Sequence, residues 1–384
     1  MPAMSVIDST QSSSPLRAAV GGLIALAVAI GIGRFIYTPI LPSMMAALGL
    51  PKLAAGLIAS ANFAGYLTGA LLVAGARLSA RGWILGGLIA SALTTSAMAL
   101  AHSVMQFVIL RATGGLASAV VLVLACATVL DALGASDRSD LATLMFAGVG
   151  VGIAGSAALL SAVRAAGLGW PALWVAGGAL SMLGACACWR LIPDRKPLAP
   201  SPEAGAARFD RRFIRLSIAY GLFGFAYIIT ATFLVAIVRA NPGTRQIEAA
   251  VWVAFGLAAI PSVALWSAIG QRLGATRGFA LAALTEALGV VGTITWQSSA
   301  GVFAATVLVG GTFMGLTGLG LSRGRELAAK NPQRGLALMT SAFGIGQIVG
   351  PSFAGALSDR LGSFTLVSVA AAAALVICAA LAAI

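Results

Sequence analysis

Arg34 lies in the run Gly31-Ile32-Gly33-Arg34-Phe35-Ile36-Tyr37-Thr38-Pro39, deep in the first long apolar stretch of the chain, and Arg111 lies in the fourth. An arginine carries five N–H donors, no acceptor and a permanent charge, and its planar fork matches a carboxylate or phosphate with two parallel hydrogen bonds. Inside an apolar segment such a group must face a bundle interior or a watery cavity, which makes it a functional-site candidate by default. The chemistry these two residues point to is anion binding. For Arg111 the alternative is pairing with helix-end carbonyls. Neutral polar side chains follow at helical spacing: Tyr37 and Thr38 three and four residues beyond Arg34, Asn62 and Tyr66 in the second stretch, and Tyr220, Tyr227 and Thr230 in the seventh. Positions three and four apart share a helix face. The expected anion site is therefore Arg34, Tyr37, Thr38, Asn62, Tyr66, Arg111, Tyr227 and Thr230, with interhelical hydrogen bonding as the competing role of the phenols.

Proton chemistry has one good carrier. Asp8, Asp137, Asp140, Asp194, Glu203, Asp210, Glu248, Glu326 and Asp359 fall in tails or loops and Asp131 at a span end, which leaves Glu286. A buried carboxyl can cycle between its charged and neutral forms. With Gly289 and Thr293, Glu286 makes a small, polar helix face turned to protein rather than lipid. A structural hydrogen bond is the other role open to it, and the proton would then travel on the substrate. Cys126, Cys186, Cys188 and Cys378 all lie in apolar stretches, and Cys186 and Cys188, two apart, point in different directions on a helix. They read as small buried hydrophobes. His102, alone at the end of the third stretch, is an interfacial residue. No metal, cofactor, hydrolytic triad or phosphate loop is expected, and the chain does not read as an enzyme.

The elements that must position these side chains are membrane spans. Charged residues make up 9% of the chain and apolar residues 59%, with a mean hydropathy of +0.99, against about a quarter charged in a soluble domain. A crossing takes roughly 20 apolar residues. The apolar blocks run approximately 17–41, 54–76, 83–101, 105–129, 141–163, 171–192, 213–238, 249–269, 277–297, 300–321, 335–357 and 363–384. Residues 1–16 read as a retained tail, and the Pro-rich, basic stretch 193–212 as a linker between six-span units at 17–192 and 213–384. Twelve spans put both termini on one side. Seventeen of the 24 basic residues fall on that side and five on the other, with Arg34 and Arg111 inside spans. By the positive-inside rule both termini are cytoplasmic. The net charge of +13 is thereby accounted for by topology, and a nucleic-acid partner is not expected. Trp83, Trp170, Trp189, Trp252, Trp266 and Trp296 fall near span ends, as an interfacial belt requires.

Sliding the second half back by about 193 residues lays Arg34 on Tyr227 and Ile40-Leu41 on Phe233-Leu234. Two parallel repeats with a site between them near mid-membrane is a transporter architecture. The chain also resembles the YbfB/YjiJ-type group of the major facilitator superfamily. The resemblance rests on residues 31–39 above, Ala61-Asn62-Phe63-Ala64-Gly65-Tyr66, Tyr220-Gly221-Leu222-Phe223-Gly224-Phe225-Ala226-Tyr227 and Gly310-Gly311-Thr312-Phe313-Met314-Gly315. It implies an all-α fold of twelve transmembrane helices in two pseudo-symmetric six-helix bundles around a central cavity, lined by the first and fourth helices of each repeat. The loop motif expected after the second span keeps Gly75, Arg81 and Gly82 but has Ser79 in place of its acid and Ala80 in place of its next arginine. The full motif, Gly355-Ala356-Leu357-Ser358-Asp359-Arg360-Leu361-Gly362, follows the eleventh span instead, where a helix cap and a gating role are both open. Span four resembles the family pattern in Arg111, Gly115 and Ala119. Glycine rows at 148–155 and at Gly346, Gly350 and Pro351 are expected to let helices of the two halves slide closely past each other.

The function expected is secondary active transport of a small organic anion across the bacterial cytoplasmic (inner) membrane by rocker-switch alternating access. Proton coupling by symport, uptake and a monomeric protein are part of that expectation. Proton-driven efflux of drugs or metabolites is the alternative. A non-transporting sensor or scaffold needs an output domain that the roughly 20-residue longest loop does not offer.

Overall fold

The structure, a computed structural model, describes residues 14–73, 80–193 and 209–383. It contains fourteen α-helices: α1 (Pro15–Leu26), α2 (Tyr37–Leu48), α3 (Lys52–Val73), α4 (Ala80–Ala97), α5 (Val104–Gly134), α6 (Ala142–Ala165), α7 (Trp170–Leu191), α8 (Arg211–Ala240), α9 (Glu248–Ala259), α10 (Ser262–Leu273), α11 (Ala275–Thr295), α12 (Ser299–Leu327), α13 (Pro332–Leu361) and α14 (Thr365–Ala383). α1 and α2 form one broken span. Among the described residues eleven helical stretches are long and apolar enough to cross a membrane, and α9 with α10, bent by 45°, makes a twelfth. Pro261, which has no N–H to give the preceding turn, stands at that bend. Helices alternate in direction, so Pro15, Leu191, Arg211 and Ala383 share one face of the molecule, here the terminal face. The α2–α3 and α13–α14 turns share the opposite, far face.

Local signals set the helix starts. Ser103 and Gln106 form a reciprocal capping box at α5, and Asp210, Ser298 and Asn331 accept backbone N–H groups at α8, α12 and α13. Several helices outrun the apolar blocks: α5 reaches Gly134 and α12 reaches Leu327, and α8 starts at Arg211, inside the expected linker. The reason is that polar turns extend a helix past the apolar slab, where a hydropathy criterion stops.

Small residues bring the helices together. A Cβ on Gly65 would lie 1.9 Å from the Ala112 carbonyl oxygen, and one on Gly115 1.9 Å from that of Asn62, so α3 and α5 meet backbone to backbone. The glycine rows serve two kinds of seam, within each half as well as the expected one between the halves. Gly346 and Gly350 face Gly221 and Phe225 of α8, and Gly148 and Gly152 face Leu23 and Ala27, all within one half. Between the halves, Gly150 of the first row meets Gly256 and Pro351 of the second meets Gly56, as expected, and Gly355 meets Lys52 and Gly344 meets Leu67. Gly82 is exposed in the first turn of α4, and Gly75 lies outside the described residues. Trp252 and Trp266 are buried rather than interfacial: proximity to a span end says nothing about which way an indole turns, and Trp252 packs on Phe255 while Trp266 donates to the Gly311 carbonyl.

Candidate functional site

Span one is not a regular α-helix where Arg34 sits. Ala27–Ile32 is π-helical, with Gly33 N donating to Val28 O at 2.8 Å, and the chain then turns through residues 33–36 before α2 begins. Gly31 permits the geometry, since a Cβ there would lie 2.6 Å from Gly152 Cα. Pro39 lacks the N–H that would bond the Phe35 carbonyl, and Thr38 N takes it instead at 3.3 Å. Such π turns recur at functional sites.

Arg111 on α5 grips this break. Its Nη1 donates to the Gly33 carbonyl at 2.8 Å and its Nη2 to that of Arg34 at 2.9 Å, while its guanidinium lies 5.3 Å from the Tyr37 ring centre. Asn62 Nδ2 on α3 donates to the Arg111 carbonyl at 2.9 Å. Three spans are thus tied together around the irregular backbone.

Arg34 has a different environment. Its guanidinium lies 4.1 Å from the centre of the Tyr66 ring and 5.1 Å from that of Phe63. The residue is 7% exposed, and its Nε and Nη2 have no hydrogen-bond partner. Among the described ion pairs none involves Arg34. The phenols of Tyr66 and of Tyr227, the latter from the other half, both lie at close range of the guanidinium. Gln347 on α13 donates through Nε2 to the Tyr227 hydroxyl. The Tyr227 ring packs with those of Phe313 and Phe343, each with its centre 5.7 Å away and nearly parallel to it.

Of the eight expected site residues, Arg34, Tyr66 and Tyr227 therefore come together. Tyr37 donates to the Ala55 carbonyl at 2.9 Å, Thr38 to that of Ala231 at 2.7 Å, and Arg111 and Asn62 to the carbonyls already named. Thr230 is buried with its hydroxyl unpartnered. The shared face expected for Arg34, Tyr37 and Thr38 is divided, with Arg34 and Tyr37 both meeting α3 and Thr38 turned to α8. That expectation assumed 3.6 residues per turn, and the irregular turn at 33–36 separates Arg34 from the first turn of α2, where Thr38 faces α8. Gln347 and the rings of Phe313 and Phe343 were not anticipated. Gln347 could have been found as the one amide in the Gly346–Gly350 row, since polar side chains at that depth are costly unless used.

Glu286 on α11 is fully buried behind this cluster. Its Oε2 accepts from Thr312 at 3.1 Å and its Oε1 is unpartnered. Cys378 and Tyr227 are both within its electrostatic reach. Among the described residues no group of His, Cys, Asp and Glu is arranged to hold a metal.

At the far face the halves are latched. Asp359, at the end of α13, accepts the backbone N–H of Lys52 at 3.0 Å and of Leu53 at 2.7 Å, and so caps α3 from the other half. Lys52 Nζ returns a bond to the Ser358 carbonyl at 3.0 Å, and the Ser60 and Ser352 hydroxyls meet at 2.7 Å. Arg239 pairs with Glu248 at 2.7 Å, and Arg164, from the other half, approaches the same carboxylate at 3.8 Å.

Known proteins place this architecture. A crystal structure of a mutant form of the nucleoside transporter NupG superposes with a TM-score of 0.74 at 16% identity, covering 95% of this chain and 98% of that one. A bacterial homolog of the human lysosomal transporter Spinster, in an inward-facing and unoccupied conformation, superposes at 0.69 with 15% identity, covering 97% of this chain and 95% of that one. At these identities the likeness is one of fold. No curated protein matches the sequence. The family model described as "Uncharacterised MFS-type transporter YbfB" matches residues 26–383, nearly the whole chain, and the protein belongs to that family of major facilitator transporters.

Proposed function

We propose that the protein is a secondary active transporter that carries a small organic anion across the bacterial cytoplasmic membrane, with both termini in the cytoplasm, by rocking its two six-helix halves about a site at Arg34. The observation that carries this reading is the Arg34 guanidinium: buried, resting on Tyr66, with Nε and Nη2 unpartnered. A buried cation left in this condition is costly, and an anionic ligand removes the cost. Arg111 acts in this reading as the clasp that holds the broken span in shape, because its fork is filled by two backbone carbonyls. With the far-face contacts engaged, the chain is in the state closed to the outside, the same side that is shut in the inward-facing Spinster homolog. Glu286, behind Tyr227, is the proton-coupling group, and the transport direction is uptake. The nucleoside in the name of NupG describes that protein and does not extend to this one.

The test is transport in proteoliposomes under an imposed pH gradient, with candidate carboxylates and phosphates as substrates. Arg34→Ala should abolish uptake while the protein still purifies as a folded monomer, and Arg34→Lys should fail to restore it, because an ammonium cannot make the bidentate bond. Wild-type flux through Arg34→Ala would sink the reading and favour an efflux pump for neutral or cationic amphiphiles.

A further inference from the structure

The groups around Arg34 narrow the anion to one class and show how both halves hold it. This inference rests on the anion reading above. Two guanidiniums lie in the region, but Arg111 spends its Nη1 and Nη2 on the Gly33 and Arg34 carbonyls. Arg34 is left as the one fork open to a ligand, with Nε and Nη2 both unpartnered. The other unpartnered polar atoms on these helices include three acceptors, Asn62 Oδ1, Gln347 Oε1 and Glu286 Oε1, and three single donors, Arg111 Nε, Thr230 Oγ1 and Trp252 Nε1, none of which makes a second fork. Unpaired carbonyl and carboxyl oxygens repel a second anionic group, and suit at most a hydroxyl or amide N–H of the ligand. Apart from the Tyr66 phenol, the neighbouring side chains Phe35, Phe63, Phe313 and Phe343 are apolar.

Tyr227 supplies the second hand. Its ring is held in an aromatic cluster, with Phe313 and Phe343 nearly parallel to it at interplanar angles of 8° and 7°. Its oxygen accepts from Gln347 Nε2 and lies beside the Arg34 guanidinium. An oxygen that accepts from Gln347 Nε2 directs its own proton elsewhere, and no described hydrogen bond uses that proton. A free O–H on the C-terminal half thus stands beside a free guanidinium fork on the N-terminal half.

We propose that the substrate is a monocarboxylate held from both halves at once, by the Arg34 guanidinium and the Tyr227 phenol, with Gln347 as the positioning residue that aims the phenol. A dicarboxylate or an inorganic phosphate dianion brings a second negative charge for which this site has no free donor fork. Binding across the seam also means that the ligand itself draws the halves together.

The experiment is thermal stabilisation of the purified full-length chain by benzoate and lactate as monocarboxylates, succinate as a dicarboxylate, and inorganic phosphate. The wild type should respond to benzoate or lactate, and succinate and phosphate should need at least about tenfold higher concentration. Tyr227→Phe, which keeps the ring stack, should weaken the monocarboxylate by at least about tenfold, the lower end of the effect of losing one hydrogen bond to a charged group. Gln347→Leu should weaken it as well. If Gln347 acts through the phenol, adding Gln347→Leu to Tyr227→Phe should produce no further loss, whereas a merely structural role predicts that the two losses multiply. Wild-type affinity in Tyr227→Phe, multiplying losses in the double variant, or an equal or stronger Arg34-dependent response to succinate or phosphate would overturn the proposal. In the last case the anion reading stands. A chain that responds to none of the four, or responds equally after Arg34→Ala, removes the anion reading and this one with it.

Discussion

Replacing Asp359 by Ala should tilt the protein away from the state closed at the far face. The Asp359 carboxylate takes the first two backbone N–H groups of α3, at 3.0 and 2.7 Å, across the seam between the halves. Those donors have no partner within their own helix, and the positive end of the helix dipole lies there. The site is exposed to solvent, so the applicable scale is that of a surface N-cap, about 1 kcal/mol, with a further 0.3–1 kcal/mol or so from the charge on the dipole. A total of roughly 1–2 kcal/mol corresponds to a factor of about 5–30 in the ratio of closed to open molecules. Asp359→Asn, which retains one acceptor oxygen without the charge, should give the smaller part of that shift. The measurement is the distance distribution between spin labels at Leu168 and Gln297, exposed far-face positions in opposite halves, in a background where the exposed Cys186 is replaced. Alanine should move population to longer distances, and high salt should weaken the wild-type preference in the same direction. An unchanged distribution, or a shift to shorter distances, would show that Asp359 is only a local cap and that backbone packing alone shuts this face.

Other outcomes follow from the same contacts. Gly56→Ala should prevent full closure of the far face and slow transport without unfolding the halves, since its Cβ would stand 2.2 Å from the Pro351 carbonyl oxygen; cysteine accessibility near residue 60 reads this. Arg111→Lys should lower the melting temperature and the transport rate together, because an ammonium cannot bridge the Gly33 and Arg34 carbonyls as a fork does; each lost bond is worth about 1.5–3 kcal/mol. Glu286→Gln should preserve substrate exchange across a membrane without a pH gradient and abolish accumulation driven by one, measured in the same proteoliposomes. Glu248→Gln should loosen the far face, leaving Arg164 and Arg239 to face each other without their shared carboxylate, and should add to Asp359→Ala because the two locks lie on different helices.

Much of this protein is legible in its residue order. Composition alone separates a bilayer protein from a soluble one, and the count of apolar blocks, the 193-residue repeat and the one-sided basic loops yield twelve spans in two halves. These properties depend on transfer from water to hydrocarbon, a cost paid residue by residue and therefore readable locally. The buried arginines, the phenols and Glu286 stand out for the same reason, since a polar group at that depth is conspicuous whatever surrounds it. In the folded state Arg34 and Tyr227, which the repeat offset superposes, lie at close range of each other across the seam.

What the residue order could not settle is direction and partnership. Arg34 and Arg111 are the same side chain in similar apolar surroundings, yet one is filled by two backbone carbonyls and the other is left open. The difference comes from a π turn and a break between residues 27 and 36, which change the angle at which every later side chain of span one emerges. The partner of Gln347 was decided only by packing, where α13 lies beside α8 and brings its amide to Tyr227. Asp359 reads as an ordinary loop acid until the packing sets it against the first turn of α3, 306 residues away in the chain. Transfer free energies fix which segments cross the membrane, whereas hydrogen bonds have direction and short range, so their pairing was decided only when the helices packed.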